Sequence, residues 1–268
     1  MKHQQFASLC FSSGLTNNYL ALVVIFNFKI NIQQQFRAGH YKISHLQQYL
    51  IVVVIKNLIV DTYTETFDTW NKVAKLYQEK FMDLDLYNDT YDTFCEEVNI
   101  ENATILEIGC GPGNITKYLL NKRPDFSIEG IDISPNMIEL AKTNNPKADF
   151  KVMDCREIDK LQSKFNGIIC GFCFPYLSEF DSSKIIKDCA TLLKDKGVLY
   201  ISFVEGDYLK SGFQIASSGD RTYFYFHTLD SLTKELKDSS FETIKLFHKS
   251  YKKNLATEEI HTVVIAKK

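Results

Sequence analysis

The chain is poor in several things at once, and each shortage excludes something. Its formal net charge is only −2, so no charge excess marks a nucleic-acid backbone or an acidic membrane as partner. It has five prolines in 268 residues and no low-complexity linker after residue 61, which argues against a string of small modules. The seven cysteines (Cys10, Cys95, Cys110, Cys155, Cys170, Cys173 and Cys189) are scattered through apolar runs without disulfide-type spacing, as buried thiols in a reducing compartment would be. Cys170 and Cys173 form a lone C-x-x-C. A structural zinc needs a second pair, which the sequence lacks, so no metal site is expected.

Residues 1–60 lack both acid and proline. They hold five Lys or Arg and no Asp or Glu, which leaves 26 basic and all 33 acidic residues to 61–268. The run YLALVVIF (19–26) is too short for a bilayer, which needs about 20 residues, and YLIVVVIKNLIV (49–60) is broken by Lys56 and Asn57. The basic start is thin and no Ala-x-Ala cleavage site follows, so neither a signal peptide nor a membrane partner is expected. The segment reads as an atypical extension, poorly ordered or not native to the domain and dispensable for activity. The domain proper is then 61–268, with a helical cap over 61–100 and a core over 101–268.

What is present is an alternation. TFDTWNKVAKLYQEKF (66–81) has helical spacing that puts Phe67, Trp70, Val73, Ala74, Tyr77 and Phe81 near one face, and Asn88–Val98 reads as a second helix capped at Asn88 or Asp89. Then TILEIGC, SIEGIDI, ADFKVMDC, FNGIICGF and VLYISFV read as strands. The helices NITKYLLNKR, PNMIELAKTNN and DSSKIIKDCATLLKDKG lie between them, the last expected to run to its glycine, Gly197. Strands alternating with helices imply a doubly wound α/β fold. At the tail, TYFYFH and the helix LDSLTKELKDSS precede FETIKLFHKSY and IHTVVIAKK, joined by a short polar loop and therefore antiparallel.

In a doubly wound sheet the ligand sits beyond the carboxyl ends of the strands. The first such turn reads ILEIGCGPGNITKYLL (105–120). A dinucleotide site would want glycine at 114 to complete G-x-G-x-x-G from Gly109, and the residue is Asn114. Glu107, two residues ahead of the first glycine, would repel a pyrophosphate and suit a cation or a hydrogen-bond donor. Acids end three successive strand segments, at Glu107, Asp132 and Asp154, 25 and 22 residues apart.

With E-x-G-x-G-x-G after its first strand and these acids, the sequence resembles the class I S-adenosylmethionine-dependent methyltransferases of small-molecule type, over roughly residues 66–268. The resemblance implies a Rossmann-like seven-stranded sheet, mostly parallel with an antiparallel C-terminal strand, and S-adenosylmethionine as cofactor. It places Glu107, Gly109, Cys110 and Gly111 at the methionine end and lets Gly113 start the helix close to it. Asp132, followed by Ile133, would take the ribose hydroxyls. Met137 would pack on the adenine, with Asp154 and Cys155 at its amine. Cys170 would end the fourth strand beneath the transferring methyl, and Tyr77 would close over the cofactor. Phe172, Phe174, Tyr223 and Tyr225 are candidate walls for an acceptor, and Tyr176 and His227 candidate catalytic groups. Core packing is the plain alternative for each of these aromatics, and a cap-side position for His227.

CFPY (173–176) is similar to the Asn/Asp-Pro-Pro-Tyr motif of amino-methylating nucleic-acid enzymes but lacks its polar residue and first proline. With an acidic domain, this disfavours nucleic acid and favours a small, partly apolar acceptor methylated at O, N or C. A nicotinamide oxidoreductase and a non-catalytic binder of the same cofactor are the competing readings. A cytoplasmic location is expected; the oligomeric state is not legible.

Overall fold

The structure is a computed structural model, and it describes residues 62–216, 219–252 and 258–268. The extension expected over 1–60 lies outside the described residues, which begin at the helical cap.

Seven strands form one sheet in the order β3-β2-β1-β4-β5-β9-β8. They are β1 (Thr104–Ile108), β2 (Ser127–Asp132), β3 (Asp149–Val152), β4 (Phe165–Cys170), β5 (Leu193–Val204), β8 (Glu242–Lys252) and β9 (Glu258–Lys267). β1 to β5 pair in parallel, and β9 runs antiparallel to both β5 and β8, so one C-terminal strand opposes the rest, as expected. A separate hairpin pairs β6 (Gly212–Ile215) with β7 (Arg221–Phe224).

The strands read as unbroken apolar runs because both faces of the sheet are covered. Leu106 and Ile108 of β1, Leu199, Ile201 and Phe203 of β5, and Val264 of β9 pack into one core, with α6 (Glu179–Leu192) and α7 (Leu229–Asp238). Their neighbours Ile105, Val198, Tyr200, Val263 and Ile265 point the other way, into a second core with α3 (Asn88–Glu97) and α4 (Asn114–Lys122). Burying one such aliphatic side chain contributes about 1.5–3 kcal/mol, so each face is specified by its own alternate residues.

Three local expectations are corrected. The helix read over 66–81 is two helices, α1 (Thr62–Lys72) and α2 (Ala74–Phe81), parted at Val73, whose φ −95° and ψ 12° leave the helical region. Helix α3 is preceded by Tyr87, which makes no side-chain cap; neither Asn88 nor Asp89 is the capping residue. Helix α6 ends at Leu192, five residues short of Gly197, and begins behind Ser178, whose hydroxyl caps the Asp181 N–H. Residues 194–197 instead bulge from β5 between the Leu193–Phe165 and Val198–Gly167 pairings, with Lys196 at φ +60°. Gly197 is required there because a Cβ would stand 2.8 Å from the Lys194 carbonyl.

Candidate functional site

The strand order reverses between β1 and β4, and the turn after β1 is built to leave space there. Gly109 (φ +68°) and Gly111 (φ +52°) adopt left-handed conformations that a side chain resists. A Cβ on Gly109 would press on Cys173 at 3.3 Å. The N–H groups of Gly109 and Cys110 both donate to the Ile131 carbonyl, which pins the turn to the end of β2. Asp132 completes the fastening: it accepts from Gly111 N at 2.9 Å and from Ser134 N at 2.8 Å. Each carboxylate oxygen keeps a second lone pair for a ligand. Burial pushes the Asp132 carboxyl above its usual range, against those two N–H donors.

Two adjoining lobes open over this turn. The smaller, about 130 Å³, is lined by Gly109, Gly111, Asp132, Ile133, Met137, Asp154 and Cys155, together with Phe67, Met153 and Cys173. Every residue assigned to a ribose or adenine from the sequence faces it. Asp154 arrives already paired: its two oxygens take Arg156 Nε at 3.0 Å and Nη2 at 2.6 Å, and it caps the following turn at Arg156 N. Burial raises that carboxyl, but the Arg156 guanidinium and N–H outweigh it and hold it below the usual carboxylate range. The larger lobe, about 440 Å³, lies under α1, α2 and the hairpin. Both lobes share Trp70, Tyr77, Gly109, Gly111, Gly171, Phe172 and Tyr176. The aromatic face of α1 and α2 is thus spent on the cavity, with only Thr66 and Ala74 of those helices fully buried.

Glu107 sits beneath the turn at 1% exposure. Thr116 donates to its Oε2, and its Oε1 is buried with no partner. Burial pushes this carboxyl up to about 8 from 4.5, opposed by Thr116 and aided by the charge on Asp132. The Tyr77 phenol above is pushed up by burial and then by the charges on Asp132 and Glu107, so all three belong to one electrostatic neighbourhood. A second orphan, Trp70 Nε1, is a donor at the boundary between the lobes. A glycine cradle, a buried unpaired acceptor and a carboxylate with spare lone pairs fit a ligand that brings a cationic or donating end and hydroxyls.

Several candidates fall elsewhere. Cys170 and Phe174 are fully buried in the core and line neither lobe; Gly171 and Phe172, just past β4, take their place. Cys110 is buried against Ile138, Ala141 and Phe150, leaving only its backbone to the turn. Gly113 (φ +81°) serves packing: a Cβ would stand 2.3 Å from Asn145 Nδ2 and 3.4 Å from Ala141. Tyr223 and Tyr225 miss the cavity by one residue of strand register, since Thr222 and Phe224 point in; the two tyrosines pack against each other at a tilt, and Tyr225 also packs against Tyr63 and stacks on Tyr208. His227 is no base for the cavity. It is 1% exposed, its Nε2 donates to the carbonyls of Phe174 (3.0 Å) and Leu177 (3.1 Å), and burial lowers its pKa. It clasps the segment that carries Tyr176. Of the two catalytic candidates, only Tyr176 lines the cavity, edge-on to Trp70 and Phe224.

Sequence reasoning missed Trp70, Phe224, Tyr87, Tyr251, Glu259 and His261 as lining residues. Because β9 is antiparallel, its first residues lie where the parallel strands end: His261 pairs with Val204 at the end of β5, and Glu259 with Tyr251 near the end of β8. Among the described residues no group of three or more His, Cys, Asp or Glu is gathered as a metal would require, and no helix is long and apolar enough to cross a membrane.

Known proteins share these features. Residues 105–197 match a family model described as a methyltransferase domain. A protein of Invertebrate iridescent virus 6 named as a methyltransferase is 31% identical over 141 residues, 52% of this chain and 50% of the relative. The malonyl-acyl-carrier-protein O-methyltransferase of Acetivibrio thermocellus is 30% identical over 141 residues, 52% of this chain and 45% of the relative. The chain thus spans about half the length of the curated relatives it matches. The crystal structure of a SAM-dependent methyltransferase from Methanosarcina mazei is 25% identical and superposes with a TM-score of 0.56, over 65% of this chain and 95% of that one. Residues 105–197 are thus matched as a methyltransferase domain, and the sheet order, the glycine turn and the acids near the ends of β1, β2 and β3 agree with the class I S-adenosylmethionine-dependent methyltransferases that the sequence resembles.

Proposed function

We propose that residues 62–268 bind S-adenosylmethionine in the smaller lobe and methylate a small molecule held in the larger one. The observation that carries this is the pairing of a polar, glycine-floored lobe with an aromatic one across a shared wall at the end of β4. In this reading Asp132 takes the ribose hydroxyls, Ile133 and Met137 enclose the adenine, and Asp154 and Cys155 stand at its edge. Gly109 and Gly111 let the backbone approach the ligand, and the Oε1 of Glu107 meets its ammonium end.

When bound, the cofactor supplies a methyl group on a positive sulfur, already a good leaving group. What remains for the protein is alignment and exclusion of water. Tyr77, Trp70, Phe172 and Tyr176 form the ring of aromatic surface where the lobes meet, and they do both. The apolar larger lobe suits a small, partly apolar acceptor and offers no basic track for nucleic acid.

The test is to incubate the protein with S-adenosylmethionine labelled in the methyl group and a small-molecule extract. Label should pass into the organic-soluble fraction, and Asp132→Ala should abolish the transfer. Retention of all label in the cofactor, with binding of S-adenosylhomocysteine intact, would point to a non-catalytic binder.

A further inference from the structure

Three groups in the larger lobe form a chain unrelated to the cofactor. Tyr87, from the residue before α3, places its hydroxyl 2.6 Å from His261 Nδ1. His261 Nε2 faces Glu259 Oε2 at 3.7 Å. All three line the lobe, and His261 is 6% exposed. The imidazole is held in plane by Tyr251, stacked at 4.8 Å, and by Tyr87 at 6.1 Å. Phe172, at the end of β4 where the lobes meet, lies 4.9 Å from both the Tyr87 and His261 rings. The chain is therefore one ring away from the shared wall.

A carboxylate beside Nε2 favours the tautomer with its proton there, which leaves Nδ1 to accept from the Tyr87 hydroxyl. The phenol oxygen then has lone pairs directed at whatever else enters the lobe. We propose that Tyr87, His261 and Glu259 form a proton relay that activates a hydroxyl on an aromatic ring of the acceptor. As the acceptor oxygen takes the methyl and the sulfur leaves as a neutral thioether, the acceptor's proton moves to Tyr87 Oη. The proton of Tyr87 moves to His261 Nδ1, and Glu259 faces the resulting imidazolium. One methyl and one proton change place, and no other reactant is needed.

The class of acceptor follows from the relay. Imidazole titrates between pH 5 and 8, within a few units of a phenolic hydroxyl at about 10 but far from an alkanol. The lobe's walls are aromatic as well: Tyr91 lies beside Tyr87, ring to ring at 6.4 Å, and Trp70, Phe81 and Phe224 also line the lobe. The other charged groups around the imidazole have partners of their own. Lys249, opposite His261 on β8, is held by Asp89 at 2.6 Å, and Glu205, after β5, accepts from Thr262 at 3.0 Å.

This inference rests on the proposed cofactor site, and its test separates the two. The full-length protein is saturated with S-adenosylhomocysteine, followed by calorimetry, and then titrated with 4-nitrophenol, whose ionised form is coloured. In the wild type the bound phenol should ionise roughly one pH unit below its free value. His261→Gln and Tyr87→Phe, both checked by melting, should each lose that shift while their affinity for S-adenosylhomocysteine stays within about twofold of wild type. Tyr87→Phe keeps the ring, so it remains informative if His261→Gln does not fold. A shift that persists in the variants, or no binding of 4-nitrophenol to the liganded protein, overturns the relay. Failure of S-adenosylhomocysteine itself to bind overturns the cofactor site and the relay with it.

Discussion

Replacing Glu107 by Gln should make the protein more stable at high pH, and the structure sets the size of the effect. The wild-type carboxyl is buried under the glycine turn, accepts one hydrogen bond from Thr116 and leaves Oε1 bare. Burial moves its pKa from 4.5 to about 8. Below pH 4.5 the group is protonated folded or unfolded. Between 4.5 and 8 the unfolded chain gives up the proton and the folded chain keeps it, so the unfolded state binds fewer protons and stability falls as pH rises. Above 8 the loss is complete. At about 1.36 kcal/mol per pH unit, the whole window is worth about 5 kcal/mol. Glutamine mimics the protonated acid at every pH and removes this slope. Urea unfolding of both proteins at pH 5, 7 and 8.5 isolates the effect, because every other titrating group is common to both. The stability difference should grow steadily in favour of Glu107→Gln across that range. A flat difference curve would refute the reasoning that an unpaired, buried carboxyl stands under the turn. The same logic reaches the ligand: a cation next to Oε1 favours the carboxylate, so wild-type binding at pH 7 should release a proton that the Gln variant does not.

Asp132→Ala removes the acceptor for Gly111 N and Ser134 N as well as for a ribose, and bonds to a charged acceptor are worth about 1.5–3 kcal/mol each. Affinity for S-adenosylhomocysteine by calorimetry should fall at least tenfold; unchanged affinity would displace the ribose from Asp132. Gly113→Ala should cost stability of about 1–2 kcal/mol from backbone strain alone, and more from its clash with Asn145, while the ligand affinity of the folded fraction is kept. Gly109→Val should cost at least as much stability, since it puts a β-branched residue at φ +68° with its Cβ 3.3 Å from Cys173, and unlike Gly113→Ala it should abolish binding by the fraction that folds. His227→Ala should lower the melting temperature by freeing the carbonyls of Phe174 and Leu177, with acceptor methylation per folded molecule reduced no more than severalfold. Because burial lowers its folded pKa, the wild type should also lose stability as pH drops below 6.5, and the variant should lose less.

What could be read from the chain was local. Alternation and glycines at short spacing determine a strand, a left-handed turn and a helix without reference to the rest, so the β1–α4 turn, the acid at each strand end and the sheet were all legible. What could not be read depended on parity or on distant neighbours. Tyr223 and Tyr225 were separated from Thr222 and Phe224 by a single residue of register, and only the hairpin's docking on α1, where Tyr223 N donates to Thr66, decides which pair faces inward. Phe174 and His227 look like site residues in sequence, yet each is buried because the other is: the ring and carbonyl of one pack against the imidazole of the other. Gly113 looked like part of a ligand cradle, but its constraint comes from Asn145, 32 residues on. His261 was passed over because a strand's first residues matter to the site only when that strand runs backwards, which is a property of topology.

The claim on which all of this depends is that the turn after β1 holds S-adenosylmethionine. The direct measurement is thermal melting of the purified protein alone, with S-adenosylmethionine, with S-adenosylhomocysteine and with NADH. A ligand at 100 times its dissociation constant adds about 2.7 kcal/mol, which for a domain of this size is a shift on the order of 5–10 °C. The account predicts that shift with both sulfur ligands and none with NADH. A shift with NADH alone would contradict it.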